Sequence, residues 1–137
     1  MTRFAWSEPL ILIAALALSG CYGSRQLQSV TLSPASADAQ SFPGGQVPFV
    51  ATGTFSKPPS PSKLTSKDVQ WCVGDNAGAC VGNINPGATV DQNGVAQCNP
   101  GFAGTATILA GTQSNVMVNP DEGSQLKVFG SAELTCP

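Results

Sequence analysis

Between residues 46 and 55 the chain alternates. Val47, Phe49, Ala51 and Phe55 fall on one side, and Val50, Thr52 and Thr54 on the other. A period of two over that length predicts a half-buried β-strand. Shorter runs of the same kind recur. Val30-Thr31-Leu32-Ser33-Pro34 predicts a first strand stopped by its proline. Residues 68–73 predict another, with Val69, Trp71 and Val73 facing inward, followed by strands over 88–90, 95–98, 104–110, 125–129 and 131–136. Turn-forming residues separate them: a glycine- and asparagine-rich stretch over 74–87, Asp91-Gln92-Asn93-Gly94, and Asn99-Pro100-Gly101. Beyond the first 20 residues no segment repeats at 3.6. The pattern predicts an all-β sandwich of about seven short strands.

Trp71 is the largest side chain after residue 20 and reads as a core anchor in preference to a sugar-stacking platform. Lys57-Pro58-Pro59-Ser60-Pro61-Ser62-Lys63 reads as a stiff, exposed connection between strands. The other reading of that segment is a polyproline ligand for a partner's groove.

The N-terminus has a different pattern. Arg3 precedes an unbroken apolar run over residues 10–18, which ends in Leu18-Ser19-Gly20-Cys21. Such a run is too short to span a bilayer, which takes about 20 residues, and has the proportions of an export signal. Its last four residues resemble the bacterial lipoprotein processing motif, although Glu8 offsets Arg3 and Pro9 opens the apolar run. The resemblance implies cleavage before Cys21 and a diacylglycerol on its thiol. Residues 1–20 would then be a signal peptide, 21–29 a lipidated tether and 30–137 the folded domain. The address implied is the bacterial cell envelope, lipid-anchored at the outer membrane and facing periplasm or surface. A plain secretory signal with a chance cysteine, or an uncleaved anchor, are the alternatives.

Composition narrows the chemistry. Charged residues make up 10% of the chain and the net charge is −2, against about 25% charged in ordinary domains. Lys57, Lys63 and Lys67 are spread along a loop and form no basic cluster, so nucleic acid is not an expected partner. Setting Cys21 aside leaves Cys72, Cys80, Cys98 and Cys136, an even set that in an exported chain reads as two disulfides of undetermined connectivity. Zinc does not fit, because the chain has no histidine and no CxxC. The same lack of histidine excludes imidazole-based nucleophilic catalysis. Asp121-Glu122 reads as a solvated corner, and Asp75-Asn76 and Asp91-Gln92-Asn93-Gly94 offer few carboxylates for calcium. No catalytic residue, metal site or cofactor is expected.

In order, Val30 to Pro34, then Gly45-Gln46 leading to Phe49-Val50-Ala51-Thr52-Gly53-Thr54-Phe55, then Val69-Gln70-Trp71, Ala88 to Val95 and Ala103 to Ile108 resemble bacterial immunoglobulin-like domains of group 2. The resemblance runs through nearly all of the chain after Cys21. It departs in the four paired cysteines, in the proline-rich insertion before Trp71 and in the long connection over residues 111–123. It implies an immunoglobulin-like Greek-key sandwich, and a spacer or binding module in place of an enzyme. In that topology Cys72 points away from a core that Trp71 enters, so Cys80 can curl back to it. The end of the last strand returns near residues 99–104, which makes Cys98 with Cys136 the natural second pair. The function implied is surface or envelope binding and display of adhesion type, towards a protein or glycan. Residues 57–67 and 111–123 are the candidate contact loops. A periplasmic accessory subunit of an envelope assembly is the alternative.

Overall fold

The computed structural model describes residues 23–81, 87–113 and 123–137. The motif around Cys21, and the Asp121-Glu122 corner, lie outside the described residues. Ten strands follow in order: β1 (Leu27–Ser33), β2 (Ser36–Asp38), β3 (Gln46–Pro48), β4 (Val50–Phe55), β5 (Ser62–Lys63), β6 (Gln70–Gly74), β7 (Ala88–Val90), β8 (Val95–Cys98), β9 (Gly104–Gln113) and β10 (Leu126–Cys136). The fold is an all-β sandwich.

One layer is built on β3 and β4. They are a single alternating run interrupted at Phe49, whose N–H donates to the Gly94 carbonyl at 2.8 Å. β4 lies between β1 and β5, while β3 pairs with β8 and β8 with β7. The second layer has the order β2-β10-β9-β6. All pairs are antiparallel except β2 with β10. That parallel pair exists because the chain leaves the first layer after Ser33, turns at Pro34 and joins the second, where Ser36 faces Glu133.

Between the layers the inward positions form one core. Val30, Leu32, Val47, Phe49, Ala51 and Ala96 from one side meet Val73, Ala106, Ile108, Ala110, Ala132 and Leu134 from the other. The alternation over 46–55 is realised as read: Val47, Phe49 and Ala51 are buried and Val50 is 37% exposed.

Three boundaries differ from the sequence expectation. The first strand begins at Leu27, inside the expected tether, because Leu27 faces Phe55 and extends the ladder. The segments over 125–129 and 131–136 are one strand: Gly130 stays in the ladder opposite Ala110, and a glycine is needed there because a Cβ would come 2.9 Å from the Val30 carbonyl carbon. The connection expected from residue 111 begins later, since Gly111, Thr112 and Gln113 belong to β9.

A second apolar cluster lies on the outer face of the second layer. Leu109, Leu126 and Cys80 are buried there, with Cys72 and Phe129 packed against them. Cys72 faces Leu109 across β6 and β9, on the opposite side of the sheet from buried Val73. The chain turns at residues 75–78 and folds back over this cluster, with the Cys80 N–H donating to the Ser124 carbonyl at 2.9 Å and the Leu126 N–H to that of Gly78 at 2.9 Å.

Two tight turns share one design. In Asp75-Asn76-Ala77-Gly78, Asp75 Oδ1 accepts from the N–H of Ala77 and of Ala79, each at 2.9 Å. In Asp91-Gln92-Asn93-Gly94, Asp91 Oδ1 accepts from Asn93 at 2.8 Å and Val95 at 2.9 Å. Each glycine has the positive φ that closes such a turn, +83° at Gly78 and +82° at Gly94. Of the oxygens weighed above as calcium ligands, Oδ1 of Asp75 and of Asp91 thus hold backbone N–H groups.

Candidate functional site

Two disulfides join Cys72 to Cys80 and Cys98 to Cys136, with Cα separations of 5.6 and 5.8 Å. The first clasps the fold-back over the outer cluster. The second ties the last residue but one of the chain to β8 and so bridges the two layers. Cys21 is the one cysteine outside these bonds.

Strand directions sort the loops into two ends. β1 and β10 run the same way, since β2 continues from β1 and pairs in parallel with β10. Leu27, Phe55, Gln113 and Leu126 therefore share one end, and Ser33, Gly104 and Cys136 the other. The tip of the proline-rich loop, residues 57–61, lies at the first of these, where Gly23 also lies, and β5 then runs back along β4 with Lys63 facing Thr52. Residues 114–122 of the other candidate loop lie outside the described residues.

At the first end the residues read as a tether are locked to the proline-rich loop. Gly23 accepts through its carbonyl from Lys57 Nζ. The Ser56 N–H donates to the Gln26 carbonyl at 2.9 Å, and the Gln26 N–H to Ser56 Oγ at 3.0 Å. The Arg25 guanidinium lies over the Phe55 ring, 3.3 Å from its centroid. It donates from Nε to the Lys57 carbonyl at 3.2 Å, and from Nη2 to Ser62 Oγ at 3.0 Å and to the Pro59 carbonyl. The loop turns these three acceptors towards one point, and an arginine fork can gather several acceptors at once. Sequence inspection missed this lock. Its signal was present as an arginine between Cys21 and the first strand, with few other cations in the chain.

Beyond the loop, Asp68 Oδ2 accepts from the Thr65 N–H at 2.8 Å and from Thr65 Oγ1 at 2.7 Å. These two hydrogen bonds, aided by the charges of Arg25 and Lys67, hold the Asp68 carboxyl below the usual carboxylate range.

Trp71 does two things. Part of it packs against the main core, but it is only half-buried. Its remaining face lines a groove of about 360 Å³ with Phe49, Val50, Lys63, Thr65, Gln92 and Asn93. The indole rim rests on Gly94, where a Cβ would fall 2.7 Å from Cζ2. At the opposite end, Ala39, Phe42, Gly44, Gln97, Cys98 and Pro137 line a hollow of about 300 Å³.

Among the described residues, no group of three or more Cys, Asp or Glu side chains is placed to hold a metal ion. No described helix is long and apolar enough to cross a membrane. No protein-family model and no curated protein sequence matches the chain.

Proposed function

We propose that the chain is a lipid-anchored, disulfide-hardened immunoglobulin-like module of the bacterial envelope, which acts by binding and display and performs no chemistry of its own. The observation that carries this reading is the disulfide pairing. Cys72–Cys80 and Cys98–Cys136 suit an oxidising compartment outside the cytosol. Their pairing also accounts for every cysteine but Cys21, which stands in the position that the processing motif reserves for lipid. The strand order adds support: a first strand that switches layers to pair in parallel with the last is the arrangement of immunoglobulin-like sandwiches. The absence of histidine and the use of Asp75 and Asp91 in turns argue for a recognition role towards a protein or glycan.

The test is metabolic labelling with an alkyne fatty acid in a bacterial host, followed by protease shaving of intact cells. Label on the wild-type chain that disappears in Cys21→Ser is expected. Wild-type chain without label would refute the anchor. Loss of the domain on shaving favours adhesion-type display, and survival until the outer envelope is opened favours a periplasmic accessory subunit.

A further inference from the structure

We infer that the end of the sandwich carrying Arg25, Lys57 and Lys67 rests against anionic phospholipid headgroups, so that the opposite end is the one presented to solution. This rests on the lipidation of Cys21 proposed above and adds an orientation to it.

Three observations lead there. The first is the lock just described: from Gly23 onward the chain is bonded to the loop over residues 56–62. Only Tyr22 separates Gly23 from Cys21. Two peptide units reach at most about 8 Å between Cα atoms. A lipid on Cys21 would therefore hold the proline-rich loop at the membrane surface, whereas a free tether of the expected nine residues would allow about 30 Å.

The second is charge. After Cys21 the chain has five cations, Arg25, Lys57, Lys63, Lys67 and Lys127. Arg25, Lys57 and Lys67 belong to the locked N-terminal segment and the loops on either side of β5, while Lys63 lies in β5 itself, opposite Thr52. Lys127 stands second in β10, whose beginning is at the same end. Asp68 and Asp75 are the described carboxylates towards this end, Asp75 through the fold-back bonded to residues 124–126, and Asp121 and Glu122 belong to the connection between β9 and β10. Asp38 and Glu133 are instead near the far end, where β2 pairs with β10. Basic side chains within a Debye length of an anionic bilayer are drawn to it.

The third is shape. Lys57, Pro58, Pro59, Ser60 and Pro61 are all exposed and form a blunt tip without an apolar side chain large enough to insert. Such a tip suits contact with headgroups and leaves the acyl region to the lipid on Cys21.

With this end occupied, a partner in the aqueous space meets the far end. There the second disulfide, the turns over residues 39–45 and the hollow beside Phe42 and Pro137 are found.

The test uses the processed, lipidated protein in vesicles. A photoreactive side chain is introduced as Pro61→p-benzoylphenylalanine or, at the far end, Ser41→p-benzoylphenylalanine. Pro58 serves as a second loop position should the first impair folding, and both disulfides are checked in each variant. In vesicles of phosphatidylglycerol and phosphatidylethanolamine, lipid adducts at the loop should exceed those at residue 41 at least fivefold. In phosphatidylcholine alone the loop yield should fall severalfold. Equal yields at both ends, on chains that carry fatty acid at Cys21, would overturn the orientation and leave the anchor standing. Loop yields indifferent to phosphatidylglycerol would overturn the anionic headgroup as partner. Chains without fatty acid would refute the anchor and the orientation together.

Discussion

The guanidinium of Arg25 sits 3.3 Å from the centroid of the Phe55 ring, and so joins the residues after Cys21 to the last residue of β4. Phe55 is half-buried, with one face on the core and the other under the cation. The pair is strengthened by the acceptors of the 57–62 loop, which the same guanidinium reaches. A surface cation–π contact is worth about 0.5–1 kcal/mol, enough to hold a short segment but little beside the core.

Arg25→Ala should consequently free the N-terminal segment without unfolding the domain. Hydrogen exchange is the measurement. The Ser56 amide, whose partner is the Gln26 carbonyl, should exchange roughly fivefold faster, the equivalent of about 1 kcal/mol of local opening. The Ile108 and Leu134 amides should keep their wild-type rates. Unchanged exchange at Ser56 would show that the lock does not depend on the arginine.

Gly78 makes a different kind of contact. It lies against the ring of Phe129, and a Cβ would come 2.7 Å from Cδ1 and 2.8 Å from Cζ while φ stays at +83°. Gly78→Ala should cost about 2–3 kcal/mol in urea unfolding, from backbone strain and overpacking together. Gly44 provides the control. Its φ is +64°, with nothing within 4 Å of a built Cβ, so Gly44→Ala should lose only the strain, about 1 kcal/mol. Equal losses at the two positions would mean that the fold-back is not closed on Phe129.

The disulfides should separate by loop length. They span 8 and 38 residues, for which loop-closure entropy gives roughly 2.6 and 4 kcal/mol. The double variant Cys98→Ala/Cys136→Ala should therefore unfold at lower denaturant than Cys72→Ala/Cys80→Ala. The reverse order would place more of the stability in the outer cluster, which the short bridge covers, than in the tie between the layers.

Trp71→Ala tests the shared role of that ring. Full burial of an aromatic gives losses of about 3–5 kcal/mol on truncation to alanine. A half-buried ring that also lines a groove should lose about 2 kcal/mol, and Trp71→Phe less. A loss under about 0.5 kcal/mol would remove the indole from the core and leave it wholly to the groove.

These contacts also show what the sequence could and could not reveal. The run from Val47 to Phe55 was legible because one face is buried and the other is not, and period two records that difference. The same logic concealed the outer cluster. In β9, Ile108, Leu109 and Ala110 are all buried because both faces of that strand are covered, so alternation disappears where the fold-back lies. β2 and β5 escaped notice because three and two residues carry no periodicity, and their ladders are set by partners distant in sequence. Trp71 was assigned to the core by size, and size does not show that Gly94 stops short of covering the indole. The N-terminal lock was hidden for a related reason. Arg25 is exposed and polar, and only the path of the 57–62 loop brings its acceptors within reach.

Acid should loosen one turn at the Arg25 end before the core responds. Asp68 accepts from the Thr65 N–H and hydroxyl, and those bonds favour the ionised carboxyl, with Arg25 and Lys67 adding to the effect. The folded-state pKa is therefore depressed relative to the unfolded chain, whose aspartates titrate near 3.9. Its contribution to stability is fully present above about pH 4 and fades as pH falls through the lower, folded value. Carboxyl chemical shifts followed from pH 6 to pH 2 should show Asp68 titrating below the value of an aspartate in an unfolded peptide. The Thr65 amide should begin to exchange faster over the same low range. Asp68→Asn keeps an acceptor oxygen but no charge, so it should preserve the turn and abolish its pH dependence. If Asp68 titrates at the unfolded-peptide value, the two Thr65 bonds do not persist in solution, and the loop between β5 and β6 is held by Leu64 and Val69 in the core alone.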